Sequence, residues 1–219
     1  MNLIEGIGMG IEFIIDMLTR WGHLLFGMTW IGLLYYFNFI QGGYFKSASP
    51  EALKDAKAKL APEALWWFRW GAMFTFLTGV VLLEKVYRTG LLNNYIVVGA
   101  TLGTFMFLNV WLIIWPNQKI ALGMVEGDGA AAGGKALLAS RTNTLFSGPM
   151  AFCMLAGGHF GAWGNLSAHM NAMYAALAVV IILEINAIVG KQGFMTTVRG
   201  VIVSSLALTA IIVGILQYV

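Results

Sequence analysis

Long apolar runs broken by short polar or glycine-rich stretches set the pattern of this chain. Residues 18–40, 64–83, 95–115, 144–159, 170–189 and 201–219 are each mostly apolar. A helix that crosses a bilayer needs about 20 such residues. The pattern therefore predicts an all-α fold, a polytopic membrane helix bundle of about six transmembrane helices in a single integral-membrane domain, residues 1–219. The first run carries the most polar interruption. At helical spacing Asp16, Arg20, His23, Gly27, Trp30 and Leu34 share one face. Polar groups at membrane depth are expensive and usually face a bundle interior, so this face is a candidate site.

The connectors are read from their punctuation. Residues 1–19 are amphipathic and read as an interfacial extension of the first helix. Their Glu5, Glu12 and Asp16 argue against a removable signal peptide. Residues 41–63 form a polar connector with a short surface helix opened by Ser49-Pro50-Glu51. Trp66, Trp67 and Trp70 open the second run as an aromatic belt. Pro116 is expected to stop the third helix. Residues 120–140, rich in Gly and Ala, read as a loop with a short helix, and residues 157–165 as a glycine-rich turn.

Composition agrees with a membrane location. Hydrophobic residues make up 59% of the 219 and charged ones 11%, against about 25% charged in a soluble domain. The lipid bilayer is thus the main partner. A net charge of +3 spread over connectors is no sign of nucleic-acid binding. With six spans, one side receives Lys46, Lys54, Lys57, Lys59, Arg69, Lys119, Lys135, Arg141, Lys191 and Arg199; the other receives Arg20, Lys85 and Arg88. Ten basic residues of the 13 on one side mark it as cytoplasmic, with both termini outward, as expected for a bacterial inner membrane. Cys153 is the single cysteine, so there is neither a disulfide framework nor a C-x-x-C-H attachment site.

Two groups of residues carry candidate chemistry. His23, His159 and His169 are the three histidines, and all fall near the outward side. Gly27 lies beside His23, Gly157 and Gly158 precede His159, and Ala172 and Ala176 share the face of His169. Small residues beside imidazoles leave room for a macrocycle. Two of the three histidines as axial ligands suit haem b, with Arg20, Lys85 and Arg88 neutralising its propionates. The plainer readings are interfacial histidines and a neighbouring helix packed on Gly27. Copper and zinc lack a matching ligand spacing. On the inward side Arg69, Asn117, Gln118, Lys119, Arg141, Asn143 and Glu184, with Asn38, Gln41 and Asn186 nearby, offer guanidinium and amide groups for a planar, anionic small-molecule substrate. The plainer reading is a network of helix caps, with Glu184 ion-paired to Arg69 or Arg141. No nucleophile triad, phosphate loop or dinucleotide fingerprint is present, and no catalytic residue is assigned.

Four blocks, R-W-G-H-L-L-F-G-M-T-W-I-G-L-L-Y-Y-F-N-F-I-Q, W-F-R-W-G-A-M-F-T-F-L-T-G, N-V-W-L-I-I-W-P-N-Q-K and R-T-N-T-L-F-S-G-P-M, occur in this order. Together they resemble the membrane domain of bacterial cytochrome-c-linked urate oxidase. The first block also resembles, more faintly, membrane-type protoporphyrinogen oxidase, a haem-binding protein with a histidine in a similar helix. The resemblance implies oxidation of urate to 5-hydroxyisourate with electrons passed to cytochrome c. Fuller members end in a cytochrome c domain; this sequence has no C-x-x-C-H, so the expected acceptor is a separate cytochrome c. The competing expectation is a non-catalytic haem-binding subunit or assembly factor of a larger respiratory or oxygenase membrane complex.

Overall fold

A computed structural model describes residues 3–159 and 170–219, and among them every regular element is helical. Helix α1 (Leu3–Tyr35) continues without a break through a π-helical stretch (Tyr36–Gln41) into α2 (Gly42–Ser47). Only Ala48 and Ser49 separate this rod from α3 (Pro50–Asp55), a second π-helical stretch (Ala56–Leu60) and α4 (Ala61–Arg88). The expected polar connector is therefore a sharp corner between two long helices. Ser49 starts the second, its Oγ accepting from the Ala52 amide at 3.2 Å while Pro50 occupies the first turn.

Gly90, with φ of 69°, ends α4 in the left-handed conformation that glycine adopts without steric cost. Asn93 then caps α5 (Asn94–Leu108) by accepting from the Ile96 amide at 3.1 Å. Pro116 does not end the third run, as the sequence led one to expect. A π-helical stretch (Asn109–Ile114) precedes it and α6 (Trp115–Ala121) follows, with Pro116 in the first turn, where a missing N–H costs nothing. Of residues 120–140, read as a loop with a short helix, 129–140 are helical but form the first turns of the long helix α7 (Gly129–His159). Ala132, Ala136 and Ala139 are buried there, so small side chains serve close packing instead of chain flexibility. Helix α8 (Met170–Val189), a short 3₁₀ turn (Gly193–Thr196) and α9 (Val198–Tyr218) complete the chain, with Thr197 capping α9.

Cross-helix contacts fix an alternating up-and-down order. Asp16 meets Lys85, His23 meets Thr75, and Phe37 meets Phe68, so α1 and α4 are antiparallel. Helix α7 runs antiparallel to α5, with Asn143 against Asn109 and the Gly157 carbonyl against Asn93. Gln217 of α9 reaches Tyr95, returning the chain to the end at which α1 begins. Five helical rods, Gly10–Ser47, Pro50–Arg88, Asn94–Ala121, Met170–Val189 and Val198–Tyr218, are long and apolar enough to cross a membrane. Helix α7 covers the same depth but lies at the centre, and residues 139–147 are buried without interruption. Its polar run Ser140 to Thr144 is masked from lipid by its neighbours, which is how a less apolar helix is accommodated.

Candidate functional site

The first candidate is a cavity of about 510 Å³ between the α1–α4 pair and the α5–α7 pair. This falls within the range of about 300–1,000 Å³ of cofactor and ligand sites. His23 projects into it from α1. The ring Nδ1 lies 2.9 Å from the Thr75 carbonyl and 3.0 Å from Thr78 Oγ1. A carbonyl only accepts, and the Thr78 hydroxyl donates instead to the carbonyls of Phe74 and Thr75. Nδ1 therefore carries the proton, leaving the Nε2 lone pair without a protein partner among the described residues. A hydrogen bond of this kind orients a metal-ligating imidazole and raises its basicity.

The rest of the lining favours something flat and apolar. Gly27, Gly32, Gly79 and Gly103 all line the cavity. A Cβ at Gly79 would meet His23 Cε1 at 3.1 Å, so the ring lies directly on that glycine. Trp30, 2% exposed, also lines the space, and its Nε1–H is buried without an acceptor among the described residues. A bound group offering one acceptor atom would satisfy it. These features fit a macrocycle held by one imidazole.

The other outward residues are placed differently. His159 is exposed at the end of α7, its Nδ1 2.9 Å from the Leu155 carbonyl, and is not part of the cavity lining. His169 lies outside the described residues. Arg20 and Lys85 both pair with Asp16, each at 3.0 Å, and Arg88 pairs with Glu84. None of these cations lines the cavity.

The inward residues separate into distinct groups. Asn109 donates from one amide nitrogen to Asn143 Oδ1 at 2.9 Å and to Glu184 Oε2 at 3.1 Å. Asn143 in turn donates to the Met106 carbonyl at 2.9 Å. That carbonyl fixes the Asn143 amide, which fixes Asn109, so Glu184 is held as an acceptor. Among the described residues Glu184 makes no ion pair with Arg69 or Arg141. Asn109 was visible in the sequence only as one polar residue inside an apolar run. Its π-helical setting, often found at functional sites, was not. Asn38 lies in the corresponding stretch of α1 and donates to Ser140 Oγ at 2.8 Å, so two π-helical stretches face the polar run of α7.

Arg141 belongs to neither group. It is two residues from Asn143, about 200° around the helix, and seven before Gly148, whose face packs on Ser205 and Thr209 of α9. It is 8% exposed, and its Nε and Nη1 have no hydrogen-bond partner among the described residues. Arg69 lies elsewhere, its guanidinium 3.4 Å over the Trp115 ring in a cleft shared with Trp66, Trp67 and Glu63. Lys119 approaches the same ring at 5.5 Å, while Asn117 bonds back to the Ile113 carbonyl. Gln118 is half-buried on α6 beside them.

No curated protein and no solved structure matches this chain. The urate oxidase N-terminal family matches residues 90–218, more than half of the sequence. The match covers α5 to α9, including Asn109, Arg141, Asn143 and Glu184, and leaves the α1–α4 pair with His23 outside it. On that match, the chain belongs to the urate oxidase N-terminal family.

Proposed function

We propose that this protein is a haem-binding membrane oxidoreductase that takes electrons from a small planar anion, urate by its family, and delivers them outward to a cytochrome c. The observation that carries the reading is His23: its Nδ1–H is committed to Thr75, so Nε2 is available to iron in a glycine-lined cavity. When bound, the haem would supply one-electron redox chemistry. The chain's part is to hold it, with His23 as ligand and Trp30 offering a hydrogen bond, and to keep water out with apolar walls.

Arg141 supports an anionic substrate. Buried charges are normally paired, and a guanidinium with two unpartnered buried nitrogens would be stabilised by an anion that accepts from both. Arg69 on its aromatic cleft is the alternative receptor at the same membrane face. Within the bacterial inner membrane of this reading, ten basic residues against three support an orientation with that face cytoplasmic and both termini outward.

The decisive experiment is an absorption spectrum of the purified protein, oxidised and dithionite-reduced. Sharp b-type bands that disappear in His23→Ala are expected. Absence of haem, in a protein inseparable from a larger complex, would favour the non-catalytic subunit instead.

A further inference from the structure

We infer that Met150 faces His23 across the cavity and supplies a thioether as the second axial ligand of the haem; this rests on the reading above. The argument starts with depth. Phe76 of α4 stacks on Phe107 of α5 with ring centroids 4.2 Å apart. The two helices run in opposite directions at about 1.5 Å per residue. Gly79, three residues beyond Phe76, therefore lies level with Thr104, next to Gly103. The His23 ring rests on Gly79, and the position of a Cβ on Gly103 is 3.9 Å from Met150 Cγ. Both side chains line the cavity, one from each helix pair, at the same depth.

The chemistry of the lining narrows the choice. Among the described residues its lining holds, besides His23, no second imidazole, no carboxylate and no thiol. Its remaining soft donors are the sulfurs of Met28, Met150 and Met154. Met28 is on the same helix as His23 and 57% exposed. Met154 is four residues further along α7, about 6 Å away in depth, and its Cγ packs towards Gly99. Cys153 is fully buried and outside the lining. Among the described residues Met150 alone combines the right depth with the opposite wall. A methionine–histidine pair holds haem at a higher reduction potential than other ligations, which suits delivery to a c-type cytochrome.

The test uses the full-length purified protein with its haem. The oxidised form should show a sulfur-to-iron charge-transfer absorption at the far-red end of the visible spectrum. The reduced form should show a strongly upfield-shifted methionine methyl proton resonance. Met150→Leu should keep the haem, lose both signatures and lower the potential; Met154→Leu should leave all three unchanged. Haem without a thioether signature in the unmodified protein, or signatures that survive in Met150→Leu, would overturn the inference and leave the haem reading standing. A protein without haem would overturn both. Where Met150→Leu fails to fold, signatures retained in both Met28→Leu and Met154→Leu support Met150, and their loss in either variant would overturn the inference.

Discussion

His23 Nδ1 lies 2.9 Å from the backbone carbonyl of Thr75, so a main-chain atom of α4 sets the orientation of an imidazole on α1. The ring is pinned from beneath as well, because a Cβ at Gly79 would come within 3.1 Å of Cε1. Gly79→Val should displace the ring and lower haem content while the protein still folds. Haem per protein, measured on the purified variant, checks this; full occupancy would show that the ring is not held against Gly79.

The outward cations provide a second prediction. Arg20 and Lys85 share Asp16, and their side chains are 52% and 44% exposed. Exposed ion pairs contribute roughly 0–1 kcal/mol. Asp16→Asn should therefore shift the unfolding midpoint only slightly, with a smaller effect at high salt. Arg20→Gln and Lys85→Gln should leave the haem spectrum in place, because neither side chain reaches the cavity. A spectral change in either would restore them as propionate partners.

Asn109 is expected to matter more for stability. Asn109→Leu strips donors from Asn143 Oδ1 and Glu184 Oε2, both inside the bundle. Leaving a buried polar group unsatisfied costs about 1–3 kcal/mol. Unfolding in detergent should be easier by that order, and Glu184→Leu added to Asn109→Leu should recover part of the loss. Additive destabilisation by the two changes would mean that the groups are not coupled.

Helix packing offers a fourth test. A Cβ at Gly99 would fall 3.1 Å from Cys153 Cβ and 3.3 Å from the Met154 backbone nitrogen. Backbone cannot yield as a side-chain tip can, so Gly99→Val should destabilise by about 1–3 kcal/mol through overpacking. Gly214→Ala, where nothing lies within 4 Å of the added atom, should be close to neutral. Thermal unfolding of the two variants separates a close helix approach from a general intolerance of glycine replacement.

The last prediction concerns the unpaired arginine. If Arg141 receives the substrate anion, Arg141→Gln should weaken urate-dependent haem reduction about 10- to 150-fold, the equivalent of losing one charged hydrogen bond of about 1.5–3 kcal/mol, with the haem spectrum intact. An unchanged rate in a folded variant would remove it from the substrate site. Making the same substitution at Arg69 distinguishes the two receptors, since the arginines face different surroundings.

Much of the architecture was legible in the order of residues, because the cost of burying polar groups in lipid forces apolar runs of fixed minimum length. The class and the bundle follow from that constraint alone. The helix start at Ser49 was legible separately, because a local side chain satisfies a local amide there. What tertiary structure decided were matters of partnership. Residues 120–140 read as a loop with a short helix because glycine and alanine have little apolar character of their own; packing against neighbouring helices makes 129–140 the first turns of α7. Pro116 read as a stop because nothing local reveals the π-helical stretch before it. The inward polar residues read as one cluster because a sequence gives membrane depth but not angle. Arg141 and Asn143 share a depth, yet the 100° turn per residue sends them to opposite neighbours, and only the packed helices show that Asn143 finds Asn109 while Arg141 Nε and Nη1 find no partner among the described residues.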